Sequence, residues 1–169
     1  MRIAVCPGSF DPVTFGHRDI INRASTLFDK VIVVVTVNLN KKPAFTAAER
    51  IVFLEKVTAG LENVVIDTWD GLISEYVRTV NACAIVKGLR AVSDFEYEFQ
   101  MALANKLLNE NAETVFLTTS SENMYLSSSV VKHIAAYGGD ISAFVPKVII
   151  KDIEERLEQL RNDPNFVLK

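Results

Sequence analysis

The chain has 169 residues, with 18 Lys and Arg against 21 Asp and Glu, and a net charge of −3 argues against a nucleic-acid-binding surface as its main business. No apolar run approaches the ~18 residues that read as a membrane span, and Met1-Arg2 leads straight into a strand with no room for a secretory signal. A cytoplasmic enzyme with one domain, residues 1–169, and a full-sized core is therefore expected. Two lone cysteines make no disulfide framework, and two histidines without a Cys/His cluster offer no protein metal site.

Ile3-Ala4-Val5-Cys6 reads as a buried strand, and Arg18 to Phe28 shows helical spacing of apolar positions. Between them lies Pro7-Gly8-Ser9-Phe10-Asp11-Pro12-Val13-Thr14-Phe15-Gly16-His17. A strand, a Gly/Pro turn and a helix start form the layout of a phosphate site, because helix-terminal N–H groups point at the ligand and glycine lets backbone come close. Neither a Gly-x-Gly-x-x-Gly after the strand nor a Gly-x-x-x-x-Gly-Lys-Ser/Thr run occurs, so dinucleotide and P-loop sites lose their usual support. The unusual element is His17 at the helix start.

Val31 to Val37 is a β-branched run suited to a central parallel strand buried on both faces. Lys41-Lys42-Pro43 follows it, where the lysines read either as solvated charges or as part of an anion site. Thr46-Ala47-Ala48-Glu49 is a capping box opening a helix toward Ala59, with Gly60 as its stop. Val64-Val65-Ile66 is the third strand. Trp69-Asp70-Gly71-Leu72-Ile73 comes next, and Leu72 reads equally as core or as the wall of a slot for an extended substrate. A short helix then spans Leu72 to Val80, and Ala84-Ile85-Val86 is the fourth strand, with Lys87, Gly88 and Arg90 just beyond it.

Ser93-Asp94-Phe95-Glu96 looks like a second capping box, for a helix running to about Asn109. Thr114 to Leu117 is the fifth strand. Ser127-Ser128-Ser129 precedes a helix that ends near Tyr137 at Gly138-Gly139, and an amphipathic helix spans Lys147 to Arg161. Such alternation means a parallel sheet with right-handed crossovers and helices on both faces. Hydroxyls and free amides at Ser127-Ser128-Ser129 would make an anion cradle, or the serines would simply cap the helix.

Thr14-x-Gly16-His17 is the signature of the nucleotidylyltransferase superfamily. With Pro7-Gly8-Ser9-Phe10-Asp11-Pro12, Lys41-Lys42-Pro43-x-Phe45-Thr46-x-x-Glu49-Arg50, Gly88-Leu89-Arg90 through Glu98, and Leu126-Ser127-Ser128-Ser129, the chain resembles the phosphopantetheine adenylyltransferase family from Arg2 to about Pro146. The resemblance implies a Rossmann-like, doubly wound, five-stranded parallel sheet in the order 3-2-1-4-5. It also implies transfer of AMP from ATP to 4′-phosphopantetheine, releasing pyrophosphate and forming dephospho-coenzyme A. His17, Lys41 and Arg90 would be catalytic. ATP would be bound by Ser9, Phe10, His17, Gly88, Leu89, Arg90, Glu98, Asn123, Met124, Tyr125, Leu126, Ser127, Ser128 and Ser129. The acceptor would be held by Ser9, Lys41, Leu72, Ile73 and Lys87. Mg²⁺ would arrive on the ATP phosphates, coenzyme A would be a feedback inhibitor, and the protein would be a homo-oligomer, a hexamer by family resemblance. Three positions depart from common family usage: Ser9 for Thr, Lys87 for Arg and Asn123 for Trp. A sibling transferase using CTP or nicotinate mononucleotide shares the histidine motif, and a non-catalytic nucleotide sensor could share the scaffold.

Overall fold

A computed structural model describes residues 1–36 and 43–162. Lys41, and Val37 at the expected end of the second strand, lie outside the described residues. Five parallel strands, β1 (Ile3–Gly8), β2 (Lys30–Thr36), β3 (Val64–Trp69), β4 (Ala84–Leu89) and β5 (Thr114–Thr118), form one sheet in the order β3-β2-β1-β4-β5. The helices are α1 (Phe15–Leu27), α2 (Ala47–Thr58), α3 (Ile73–Thr79), α4 (Val92–Leu108), α5 (Ser128–Ala136) and α6 (Lys147–Arg161).

The period-2 alternation of a strand divides the core in two. Ala4 and Cys6 of β1 with Val31, Val33 and Val35 of β2 face a large cluster that includes Ile21, Phe45, Leu54, Ile149 and Leu157. Val5, Ile32 and Val34 face the opposite cluster with Tyr76, Val77 and Ile85. Val31 through Val35 are all buried, each side chain contributing about 1.5–3 kcal/mol relative to exposure, which makes β2 the spine of the fold. The Thr46 box forms as expected: Glu49 N donates to Thr46 Oγ1 at 3.2 Å and Thr46 N to Glu49 Oε2 at 2.6 Å.

Several boundaries differ from the sequence reading: β1 and β3 run on to Gly8 and Trp69, α1 starts at Phe15, and two further differences bear on the site. Strand β4 runs past Val86 to Leu89, because Lys87, Gly88 and Leu89 stay in register with Phe116, Leu117 and Thr118 of β5. Lys87 and Gly88 are thus strand residues, not loop residues. Helix α4 starts at Val92 with Ala91 as its cap, since Asp94 N and Phe95 N already bond to Ala91 O at 3.1 and 3.3 Å. Ser93 therefore lies within the first turn instead of capping it.

The pairing pattern opens a cleft. Strand β1 pairs with β2 along its whole length, Ile3 with Lys30 through Gly8 with Val35. With β4 it pairs only at Ala4–Ala84 and Val5–Ile85. Pro7 has no N–H to give, and beyond Val5 the two strands part. This is the point where the winding of the sheet reverses, the usual place for a ligand in such folds.

Candidate active site

The turn after β1 is built around Phe10, which takes a left-handed φ of 48° and is buried. Its ring lies over Gly8, where a Cβ would meet Phe10 Cζ at 2.9 Å, so a side chain there would displace the turn. A bulky residue at positive φ is a strained conformation of the kind concentrated at functional sites. The ring also meets the His17 imidazole edge-on, with centroids 5.2 Å apart. Ser9, beside it, is exposed.

His17 is the third residue of α1 and half of a reciprocal cap. Thr14 N donates to His17 Nδ1 at 3.0 Å, while Thr14 Oγ1 lies 3.0 Å from Nδ1 and accepts weakly from His17 N at 3.4 Å. Because Nδ1 faces a backbone N–H, it must be the bare nitrogen, and the ring proton is assigned to Nε2. Crowding by protein atoms, then the positive charges of Arg90 and Lys87, push the His17 pKa down to about 4. The imidazole is therefore a neutral hydrogen-bond donor at physiological pH. A proton NMR titration of the His17 ring is expected to show its midpoint near 4, well below the usual ~6.5. Between those values the unfolded chain binds the extra proton, so stability declines as pH falls from about 6.5 to about 4. A midpoint at or above 6.5 would contradict the neutral-donor assignment.

Two cations reach the same place from β4. Lys87 Nζ lies 3.2 Å from Glu98 on α4. Arg90 Nε donates to Asp94 at 3.0 Å and its Nη1 to Leu126 O at 2.9 Å, tying α4 to the segment that enters α5. Helix α4 turns a polar seam inward: Asp94, Glu98, Ala102 and Asn105 are half-buried and Asn109 is buried. Gly88 has a packing reason. A Cβ there would lie 2.8 Å from Ile20 Cγ1 of α1, so the glycine lets strand and helix approach closely. Leu89 is half-buried beside it, and its carbonyl accepts from Thr119 N at 2.8 Å.

The three serines divide their tasks. Ser127 caps α5, accepting from Val130 N at 3.2 Å. Ser128 Oγ donates to Pro12 O at 2.7 Å, docking α5 on the turn after β1. Ser129 is exposed, and the amides of Ser128 and Ser129 precede the helical ladder. Asn123 Nδ2 donates to Ser120 Oγ at 2.8 Å within its own loop. Met124 and Tyr125 are exposed and Leu126 is buried. An open groove of about 500 Å³ along α1, lined by Arg18, Asp19 and Asn22, shares only Asn123 and Tyr125 with the residues expected to bind substrates.

At the far edge Leu72 is exposed, and Ile73 packs against the second core cluster. Trp69 Nε1 donates to Leu72 O at 3.1 Å and fixes this corner. The structure thus brings Ser9, Phe10, His17, Lys87 to Arg90, Glu98 and Asn123 to Ser129 around the C-terminal ends of β1 and β4. Leu72 and Ile73 stand at the end of β3. Thr14, Asp94 and Asp11 belong to the site's framework but not to the residues expected from sequence. Thr14 could have been found as a cap three residues before His17, and Asp94 as a partner four residues after Arg90.

Cys6 is ill suited to covalent catalysis, since burial pushes its thiol up to about 11 and Lys87 lowers it only partly. Among the described residues no group of His, Cys, Asp or Glu gathers to hold a metal. Asp11, Asp94 and Glu98, the carboxylates nearest the cleft, each already pair with a cation.

Comparison with known proteins bears on the family and the fold. Residues 5–134 match the family described as Cytidylyltransferase-like. The chain is 56% identical over 159 residues to a phosphopantetheine adenylyltransferase of Caldanaerobacter subterraneus subsp. tengcongensis, covering 94% of this chain and 99% of that one. It is 51% identical over 163 residues to the Clostridium perfringens protein of the same name, covering 96% and 99%. Among solved structures, a protein assigned as a nicotinate-nucleotide adenylyltransferase from Vibrio parahaemolyticus superposes with a TM-score of 0.67 at 19% identity, over 96% of this chain and 98% of that one. The Plasmodium falciparum nicotinic acid mononucleotide adenylyltransferase, complexed with NaAD, gives 0.64 at 13% identity over 95% and 96%, and these two likenesses speak for the fold. With more than half its sequence identical to a relative it matches almost end to end, the chain belongs to the phosphopantetheine adenylyltransferase family.

Proposed function

We propose that the β1–β4 cleft carries this family's reaction, the reversible adenylylation of 4′-phosphopantetheine by ATP, through the following division of work. The acceptor phosphate attacks the α-phosphorus in line and pyrophosphate leaves. No proton has to move and no protein nucleophile is needed, so the protein's task is to position two polyanions and stabilise the charge of the transition state. The observation that carries the reading is that neutral His17, with its proton on Nε2, shares one site with Lys87 and Arg90.

His17 donates from Nε2 to the α-phosphate. Ser129 and the first amides of α5 receive the β- and γ-phosphates, helped by Arg90 once it leaves Asp94. The side-chain exposures of Arg90 and Asp94, 40% and 29%, leave the pair partly in solvent and keep the cost of that exchange small. Lys87 and Lys41 hold the acceptor phosphate, Ser9 and Phe10 lie between the substrates, and Leu72 and Ile73 line the pantetheine arm. Glu98 keeps Lys87 aimed. Mg²⁺ fits only as a companion of the triphosphate, since the nearby carboxylates are already paired. When bound it neutralises phosphate charge.

The test of this division is titration calorimetry on Lys87→Ala. Affinity for 4′-phosphopantetheine is expected to fall about tenfold or more, as for a lost charge-assisted contact, with ATP affinity little changed. A loss of ATP affinity instead would put Lys87 on the wrong substrate.

The protein also self-associates, in our reading as the family hexamer. Support comes from α4, which exposes Phe95, Tyr97, Phe99, Met101, Leu103, Leu107 and Leu108. Seven exposed large apolar side chains on one helix favour an interaction face. Sedimentation at micromolar concentration is expected to show a species several times the 18.8 kDa chain, and a monomer would contradict it. Coenzyme A, which carries the product's own groups, would compete for the cleft, visible as inhibition competitive with 4′-phosphopantetheine. Among the described residues no helix is long and apolar enough to cross a membrane, and both cysteines are free, which supports a cytoplasmic setting.

A further inference from the structure

Asp11 and Lys132 stand 121 positions apart, keep side-chain exposures of 8% and 10%, and meet at 2.7 Å. The Asp11 carboxylate has two further partners: Oδ2 accepts from Ala44 N at 3.2 Å and Oδ1 from Phe45 N at 2.9 Å. Ala44 and Phe45 begin just after the segment that carries Lys41. Lys132 lies on α5, one turn beyond Ser128 and on the same face, and Ser128 Oγ itself reaches Pro12 O at 2.7 Å. Helix α5 is thus fastened at two adjacent points to the turn after β1. Through Asp11 the same fastening continues to the start of α2. Arg50, buried in α2, closes the arrangement from the other side, donating to Ser9 O at 2.8 Å and to Thr36 O at 3.3 Å.

A buried ion pair is a weak source of stability. Desolvation cancels most of the Coulombic gain, and well-packed apolar residues of equal volume often serve as well or better. An ion pair at the junction of three loops that would each hold a different phosphate therefore calls for a geometric reason.

We propose that Asp11 and Lys132 are positioning residues, which set the spacing between the α5 end that receives the triphosphate and the segments that receive the acceptor phosphate. This rests on the functional reading above. Neither side chain touches substrate: Lys132 is buried against Asp11, and the Asp11 carboxylate is occupied by Lys132 and two amides. Their effect is on the relative placement of two bound anions, where a displacement of about 1 Å can cost on the order of 10²-fold in rate.

The test is Lys132→Met, which removes the cation, keeps an unbranched side chain of similar length and leaves Asp11 its two amide partners. Turnover of ATP with 4′-phosphopantetheine is expected to fall by about 10- to 10²-fold, as for a misaligned in-line pair. The dissociation constants for ATP alone and for 4′-phosphopantetheine alone, read by calorimetry, should stay within about threefold, because each half-site remains built. Should the single variant fail to fold, the double variant Asp11→Asn, Lys132→Met leaves no unpaired buried charge and is expected to show the same split. A folded variant with wild-type turnover, or one that loses affinity for a single substrate while keeping its turnover, would overturn the positioning role. A wild-type chain without turnover would sink the functional reading instead, a result distinguishable from an active wild type with an unaffected variant.

Discussion

His17→Ala is expected to lower kcat by about 10²- to 10³-fold, the loss typical of one transition-state donor, with a smaller change in the affinity for ATP. The argument is one of charge and geometry. The reaction builds negative charge on the oxygens of the α-phosphate, and Nε2–H is the donor left over once Nδ1 has taken the Thr14 amide. With a pKa of about 4 the ring is neutral, so what alanine removes is a positioned donor and not a proton source. The fold should survive. Thr14 Oγ1 still faces the backbone N–H of position 17, and the lost side-chain half of the cap costs about 0.5–2 kcal/mol at most. Circular dichroism separates the two effects, and a folded variant with near-normal turnover would remove His17 from the mechanism.

The second large effect concerns the base. ATP is expected to exceed CTP by about 10²-fold or more in kcat/KM, on the order of 3 kcal/mol, because a site that pairs the edge of one base leaves polar groups unpaired against another. The loop from Asn123 to Leu126 is the place to look. Asn123, a departure from the Trp common in the resembled family, is expected among the ATP-binding residues. Its side-chain amide instead donates to Ser120, its own N–H bonds to Ser120 O at 2.9 Å, and its carbonyl accepts from Leu126 N at 3.1 Å. Backbone groups at Met124 and Tyr125 are then the ones available to the base. Asn123→Ala should accordingly leave the ATP-to-CTP ratio within about threefold of wild type, since no base-reading group is removed. Comparable turnover of the two nucleotides would revive a sibling transferase.

Much of this architecture was legible because it is local. The Thr46 capping box, the β-branched run of β2 and the span Lys147–Arg161 of α6 are all short-range patterns; the box and α6 form where expected, and β2 covers the run through Thr36. The strand order came with the family resemblance, since no residue spacing encodes which strand lies beside which. The sequence pattern ends β4 three residues short because Lys87 and Gly88 break the apolar run, whereas the ladder to β5 is made by backbone and continues through them. Ser93-Asp94-Phe95-Glu96 imitates a cap in sequence, yet backbone bonds to Ala91 already close the turn before it and start α4 at Val92.

At the site, the identities of the cations were readable and their partners only partly so. Arg90 with Asp94 is a helix-spaced pair that could have been anticipated. Gly88 is expected among the ATP-binding residues, and its packing against Ile20 of α1 is a contact that exists only once the strand is laid against the helix. Asp11 with Lys132 has no signal at all along 121 positions, because only the docking of α5 on the turn after β1 brings them together. The proton on Nε2 likewise follows from one distance, not from the letters Thr-x-Gly-His.

The central claim is that this cleft joins an adenylyl group to the phosphate of 4′-phosphopantetheine, and one assay reaches it directly. Pyrophosphate release from ATP, followed continuously with the wild-type chain, should depend on 4′-phosphopantetheine and yield dephospho-coenzyme A, while nicotinate mononucleotide as acceptor should give no more than background. Release that proceeds equally well with nicotinate mononucleotide, or that ignores 4′-phosphopantetheine, would contradict the account.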